Sequence, residues 1–410
     1  MKKQSIQYLG FILIGFGIYM AYYSLVAQAN YWIYYYDAEF TAVISTAHFL
    51  GELFGCGLAI PLEKRITYKQ VSIIHMLISS FVIISIVPLG FIQHYWTKII
   101  LTVLPVFVLG VSNCVFSGFS ISLSARIASE MTGAIQVGIA VASVVITFVQ
   151  DIVTGCFNTP NTSAFYGLSL IYNAIVYWSI TLIFVITSIV IFFAQVNFLD
   201  KKDKFEFRQK QMQVQYVSDV QYKTEFSLDL NQVEQKPDTD FAPNDRKWIH
   251  LMGLSTCVNC IIHYTIFPLF VLKVPSSYLL QQNIASTDWW ILGILTVQCI
   301  ADCVGRVLPK TKCYKYLTSK AEIILCASRF IFYILFPLMT LPTSKPIICN
   351  DYFYFIVLVS LSVSYGVVQT LGVMRYQDFC KNNWQLTRGG FIVNIWLTLG
   401  LGISGFATLG

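Results

Sequence analysis

The sequence predicts an all-α polytopic membrane protein, with eleven transmembrane helices arranged as two bundles of six and five. Three observations carry this. Of 410 residues, 56% are hydrophobic and only 12% are charged, against about 25% charged in ordinary soluble domains. Continuous apolar runs of ~20 residues, long enough to span a bilayer, recur from end to end. They do not alternate, which excludes barrel strands. Finally, the basic residues fall on one side when these runs are read as spans.

The spans run over 7–28, 40–62, 70–93, 98–124, 133–156, 166–196, 248–272, 287–309, 318–342, 351–375 and 388–410. The first is too long for a signal-peptide core and has no small-residue cleavage site, so it is kept as a span. Cytoplasmic segments of membrane proteins are enriched in Lys and Arg. With the N-terminus inside, 22 of the 27 basic residues lie in inner segments or at inner span ends, among them Lys2, Lys3, Lys64, Arg65 and Arg375. Only Lys98, Lys273 and Lys345 lie outside, and Arg306 and Arg329 lie within spans. One missed helix would scramble every later loop. The C-terminus is then outside.

Residues 200–247 are the exception to short loops. They hold 19 of the chain's 48 acidic and basic residues, a composition that cannot bury a core. They read as a mostly disordered cytoplasmic linker. Residues 1–199 form an N-terminal bundle and 248–410 a C-terminal one. Six spans, a long inner loop and a second bundle is the plan of major-facilitator-type carriers, whose site lies between the halves near mid-membrane.

Other functions are excluded or unsupported. The net charge of +6 reflects the inner loops, not nucleic-acid binding. Most of the eleven cysteines lie in spans, where they pack as small apolar residues. Cys257-x-x-Cys260 has no second cysteine pair at zinc-site spacing. No metal or cofactor is implied. Cys156 and Cys349 would both face outside, and a bridge between them is left open. No nucleophile clusters with a base, so an enzyme is not expected, and the span count excludes a seven-span receptor. Asn161-Thr162-Ser163 is a glycosylation sequon in an outer loop, which favours the plasma membrane. The expected partners are the bilayer and a small polar solute, handled by a monomer.

Polar residues within spans are costly and mark candidate sites. They are His48 and Glu52, four apart on one helix face; Asn113 and Ser117; Gln136 and Asp151; His263; Asp302 and Arg306; and Arg329. Asp151 lies near an outer end and reads as solvated. Asp302 and Arg306 also stand four apart, which places them on one face. From Trp289 to Asp302 is ~20 Å at the helical rise, which puts the pair in the inner half of the membrane. Arg329 enters from inside to a similar depth. Two readings stand: an Asp302–Arg329 salt bridge tying two spans, or an Asp302/Arg306 pair that holds a solute. A carboxylate beside a guanidinium suits vicinal hydroxyls such as those of ribose, because it offers strong acceptors and a fork of donors.

At this stretch the chain resembles the equilibrative nucleoside transporter family. Asp302-Cys-Val-Gly305-Arg306 matches the family's Asp-x-x-Gly-Arg in the eighth span. Phe267-Pro268, Arg329-x-x-Phe332 with Pro337 following, Tyr365-Gly366 and the glycine-rich opening Gly15-Phe-Gly17 stand in the expected order. The resemblance covers nearly the whole chain. It implies a major-facilitator-like fold without the twelfth helix and facilitative movement of nucleosides or nucleobases, in some members with protons. It further implies ribose binding by Asp302 and Arg306 and a cavity lined by Phe267. Gly305, Pro268 and Arg329 become structural or gating positions. The family's Pro-Trp-Asn is replaced by Ala21-Tyr22-Tyr23, and Ser117 stands where a base-contacting glutamine is usual. Asn113 or Gln136 would supply an amide instead, and Tyr22, His48 and Glu52 complete the candidate set. A carrier of another polar metabolite, such as a sugar, is the alternative.

Overall fold

The computed structural model describes all residues except 1, 38–39, 64, 126, 158–162, 164, 222–240, 272–273, 275, 279–287, 311–316, 342–345 and 408–410. Asn161 lies outside the described residues. The first half contains α1 (Lys2–Ile18), α2 (Met20–Ala27), α3 (Ala29–Tyr35), α4 (Phe40–Glu63), α5 (Tyr68–Gly90), α6 (Tyr95–Ala125), α7 (Ser129–Cys156) and α8 (Tyr166–Gln221). The second contains α9 (Pro243–Leu269), α10 (Asp288–Val307), α11 (Ser319–Ser328), α12 (Phe332–Thr340), α13 (Asp351–Arg375) and α14 (Asn383–Ala407). A 3₁₀ turn, Arg329–Ile331, joins α11 to α12.

Local sequence sets several boundaries. Thr67 and Gln70 close a capping box at the start of α5: the Gln70 backbone N–H donates to the Thr67 hydroxyl and the Thr67 N–H to the Gln70 carboxamide. This satisfies two donors that a helix start leaves orphaned. Asn350 caps α13 by accepting from the Phe353 N–H at 3.0 Å. Pro243 opens α9, where its missing N–H costs nothing.

Among the described residues, nine helices are long and apolar enough to cross a membrane, or ten if α1 and α2, bent by 45°, form one span. The helix that separates this tally from the eleven spans read in the sequence is α10, which carries Asp302 and Arg306. The chain is an integral, multi-pass membrane protein. Its surface inverts the soluble pattern. Phe81, Ile84, Ile183, Val190, Ile334 and Ile356 are exposed, while Ser120, Thr132, Asn259, Asn394 and Thr398 are buried. Lipid gives apolar side chains no reason to hide, so helices are held by close packing and interior hydrogen bonds.

The first part of the expected linker differs from the sequence reading. Helix α8 continues through 200–221. The segment is too polar for a core, but it contains no glycine or proline and is rich in Lys and Gln. These are good helix formers, so a helix already nucleated in the apolar part propagates into it. Cys156 and Cys349 are both free and exposed, so the bridge left open is not formed.

Three apolar clusters organise the interior. One is built from residues between Phe16 and Ile189, a second from residues between Ile262 and Leu361. The third joins both halves, with Phe11, Tyr22 and Phe119 packed with Cys260, Tyr365 and Leu401. The candidate site lies within this shared cluster.

Candidate functional site

One stripe of α7 meets the second half along its whole length. Thr132, Gln136, Thr147 and Asp151 recur at helical spacing and span ~28 Å at the α-helical rise. Thr132 Oγ1 accepts from Gln377 Nε2 at 2.7 Å, near the start of α7. Gln136 meets Arg306 on α10. Thr147 lies 3.7 Å from the Cys299 sulfur, and Asp151 accepts from the Thr296 hydroxyl at 3.2 Å, both towards the end of α7. Asp151 is thus half-buried against α10, where the sequence suggested a solvated carboxylate. The halves thus touch on either side of the Gln136–Arg306 contact.

Between these contacts lies a cavity lined by Tyr19, Tyr22, Tyr23 and Phe49, by Ser117, Gln136 and Ile139, and by Tyr264, Arg306, Tyr365, Gln369, Leu397 and Leu401. About 30 Å³ of it is open to the centres of water molecules. At roughly 10–15 Å³ per water, that holds two or three. Five tyrosines supply broad ring faces and hydroxyls that either donate or accept.

Arg306 is the charged group on the wall. Its Nε donates to both Asp302 oxygens, at 3.1 and 3.2 Å, and Nη2 donates to Oδ2 at 3.1 Å. Nη1 reaches Gln136 Oε1 at 2.8 Å. The guanidinium lies 5.4 Å from the Tyr365 ring centre. A guanidinium has five N–H donors. The pairing leaves one on Nη2 and at most one on Nη1 for a solute. Asp302 sits behind Arg306, off the cavity wall, and fixes its orientation.

A glycine crossing allows this. A Cβ on Gly366 would lie 2.5 Å from the Asp302 carbonyl oxygen and 2.9 Å from its Oδ1. A Cβ on Gly305 would lie 2.3 Å from the Val363 carbonyl oxygen. Only residues without side chains let α10 and α13 approach this closely. The glycine of Asp-x-x-Gly-Arg and that of Tyr365-Gly366 are two sides of one contact.

Arg329 does not pair with Asp302, which corrects the salt-bridge reading. Its Nη1 donates to the Asn259 carbonyl oxygen at 3.2 Å and also to the Asn259 side-chain oxygen. Nη2 donates to the Leu361 carbonyl at 3.1 Å, and Nε to the Ser364 hydroxyl at 3.1 Å. Its guanidinium lies 5.6 Å from the centre of the same Tyr365 ring. It therefore ties α9 to α13 through neutral acceptors.

Of the other sequence-derived candidates, Tyr22, Ser117 and Gln136 line the cavity. Ser117 also donates to Asn394 Oδ1 across the halves at 3.3 Å. His48 stacks on Tyr22 at 4.0 Å between ring centres and pairs with Asn113 at 2.9 Å. Glu52 lies 4.0 Å from His48. Tyr19 faces it, yet neither carboxyl oxygen has a hydrogen-bond partner. Phe267 stacks on His263, which stacks on Tyr365, so it supports the wall from behind. Pro268 lies in the last turn of α9. Sequence reasoning missed Tyr264, Gln369 and Asn259. Gln369 is a polar residue one turn beyond Tyr365 on the same face of an apolar span, which was the available signal.

The sequence model of the family described as Nucleoside transporter matches residues 103–407, about three quarters of the chain. The chain belongs to the nucleoside transporter family. Solved structures place the fold of this transporter among major facilitator superfamily proteins. The proton:xylose symporter XylE of E. coli, bound to 6-bromo-6-deoxy-D-glucose, aligns with a TM-score of 0.67 at 10% identity, covering 98% of this chain and 88% of that one. FucP of E. coli in its outward conformation aligns at 0.51 with 12% identity, covering 97% of each chain. The human organic anion transporter MFSD10 aligns at 0.52 with 11% identity, covering 99% and 92%. At these identities the likeness shows the fold alone. No curated protein matches the sequence. The transporter family and fold make the chain a membrane carrier of a small polar molecule rather than an enzyme.

Proposed function

We propose that the protein carries nucleosides or nucleobases, purines among them, down their gradients by alternating access. The observation that supports this most is Arg306. It is braced by Asp302, bridged to Gln136 in the opposite half, and set in an aromatic cavity at the junction of the halves. Its remaining N–H groups donate to ribose hydroxyls, while the tyrosine rings cover the base. Asp302 holds the guanidinium, and it gains direct reach to the ribose when the cavity widens.

Room for two or three waters does not admit a nucleoside, since drug-sized ligands occupy about 300–1,000 Å³. The closed conformation is thus an intermediate between states open on one side. Opening outward separates Asp151 from Thr296, and opening inward separates Thr132 from Gln377. In this reading α10 is the eighth of eleven spans, with the N-terminus inside and the C-terminus outside. Residues 1–199 and 248–410 are the moving halves, joined by 200–247. The carrier works as a monomer in the plasma membrane, without cofactor or metal.

The test is uptake of labelled inosine and adenosine by cells expressing Asp302→Asn or Arg306→Lys protein at normal surface density. Loss of uptake in both is expected. Normal uptake in both would overturn the role of the pair. A panel that moves hexoses but no nucleoside would establish the sugar-carrier alternative.

A further inference from the structure

Two guanidinium groups fix the orientation of two carboxamides in the cavity wall. A guanidinium only donates hydrogen bonds, so any amide it meets must turn its oxygen toward it. Arg329 donates to the side-chain oxygen of Asn259. The Asn259 Nδ2 group must then point away, and it donates to the Tyr365 carbonyl at 3.1 Å and to Gln369 Oε1 at 3.3 Å. The Cys260 thiol reaches the same Gln369 oxygen at 3.6 Å. With its oxygen engaged from behind, Gln369 is left with Nε2 as its free group. Nε2 has no partner among the described residues, although the side chain is 98% buried and lines the cavity. Gln136 repeats the pattern from the other half. Arg306 engages its oxygen, and its Nε2 likewise has no partner among the described residues.

We infer that Gln369 is a specificity-determining residue whose NH₂ group reads a hydrogen-bond acceptor on the base, so the site prefers bases bearing an exocyclic carbonyl to those bearing an amino group. Arg329 and Asn259 are the positioning residues that hold Gln369 in this orientation. The inference rests on the nucleoside reading of the cavity. A carbonyl oxygen accepts from Nε2. An amino group in its place sets donor against donor, and the contact is lost unless the base shifts to offer its neighbouring ring nitrogen. Sites built to hydrogen-bond one group reject the analogue that cannot pair much more strongly than they reject a size change, because the buried partner is left unsatisfied.

The experiment compares two pairs of nucleosides that exchange a carbonyl beside a ring N–H for an amino group beside a ring nitrogen that only accepts, inosine with adenosine and uridine with cytidine. Competition uptake is measured in proteoliposomes containing the full chain. The wild type is expected to favour inosine and uridine by at least tenfold in kcat/KM. Gln369→Glu replaces the donor with a group that only accepts, and it inverts both preferences. Asn259→Asp inverts them without touching the cavity. A carboxylate there still accepts from Arg329, but it also presents an acceptor to Gln369, which turns its NH₂ inward and its oxygen to the solute. A purely structural role for Asn259 would change total uptake, not the ratio. Parity or an amino preference in the wild type overturns the inference while leaving nucleoside transport intact. So does an unchanged ratio in both variants. Hexose transport without transport of any of the four nucleosides overturns the functional reading and the inference with it.

Discussion

Gly366→Ala is a one-carbon change that tests whether the α10–α13 crossing builds the site. The added Cβ would stand 2.5 Å from the Asp302 carbonyl oxygen, 2.8 Å from the Arg306 nitrogen and 2.9 Å from Asp302 Oδ1, where ordinary contact begins at 3.4 Å. The first two obstacles are backbone atoms, which cannot swing away. The helices must separate by about 0.9 Å, the shortfall between 2.5 and 3.4 Å. Rotation gives no relief, because Gly305 packs equally tightly on Val363. Overpacking of this kind costs roughly 1–3 kcal/mol. A displacement of ~1 Å at a built site costs on the order of 10²-fold in function. The assay is initial-rate uptake normalised to surface density, beside thermal unfolding of the purified protein. The expected result is a fall in kcat/KM of about 10- to 100-fold and an apparent Tm lowered by several degrees. Gly293→Ala on the same α10 is the control, since a Cβ there meets nothing within 4 Å, and it should leave both measurements unchanged. Wild-type uptake and Tm in Gly366→Ala protein would refute the reasoning.

Three further perturbations follow from the same structure. Arg329→Lys keeps the charge but loses the fork that serves Asn259, Leu361 and Ser364 together; each buried acceptor left unpaired costs roughly 1–3 kcal/mol, so Tm should drop by several degrees and uptake below about a tenth, and an unchanged Tm would contradict the assigned role. Cysteine pairs at Asp151 and Thr296, or at Thr132 and Gln377, should arrest uptake on oxidation and release it on reduction, relative to the single variants. Continued transport with either pair cross-linked would contradict gating at these contacts. Asn161→Gln should abolish a glycosidase-sensitive mass shift, and a shift that persists would contradict glycosylation of this sequon.

The parts legible in the sequence were those with a local cause. Apolar length marked the helices, and the four-residue spacing of Asp302 and Arg306 placed them on one face and paired them. Gly305 and Gly366 were visible as motif glycines, though not as partners of one another. The salt bridge from Arg329 to Asp302, one of the two readings left open, failed for a physical reason. Rise per residue gives depth but not direction around the helix axis, and a 3₁₀ turn begins at Arg329 itself. Its acceptors are carbonyls and amides, which leave no charge pattern to read. Tyr264 and Gln369 were hidden because an aromatic stripe and a lone glutamine look the same in a packed interface as on a cavity wall. Residues 200–221 show that a composition unable to form a core can still carry a helix onward from α8.

Counterflow in liposomes reports most directly on the central claim, because it detects carrier-mediated exchange without any driving ion. Vesicles holding the purified protein are preloaded with unlabelled inosine and given a trace of labelled inosine outside. The account predicts transient accumulation of label, abolished in Arg306→Lys protein and absent when xylose or glucose is preloaded and labelled instead. Accumulation with a hexose and none with inosine, or undiminished inosine counterflow in the Arg306→Lys protein, would contradict it.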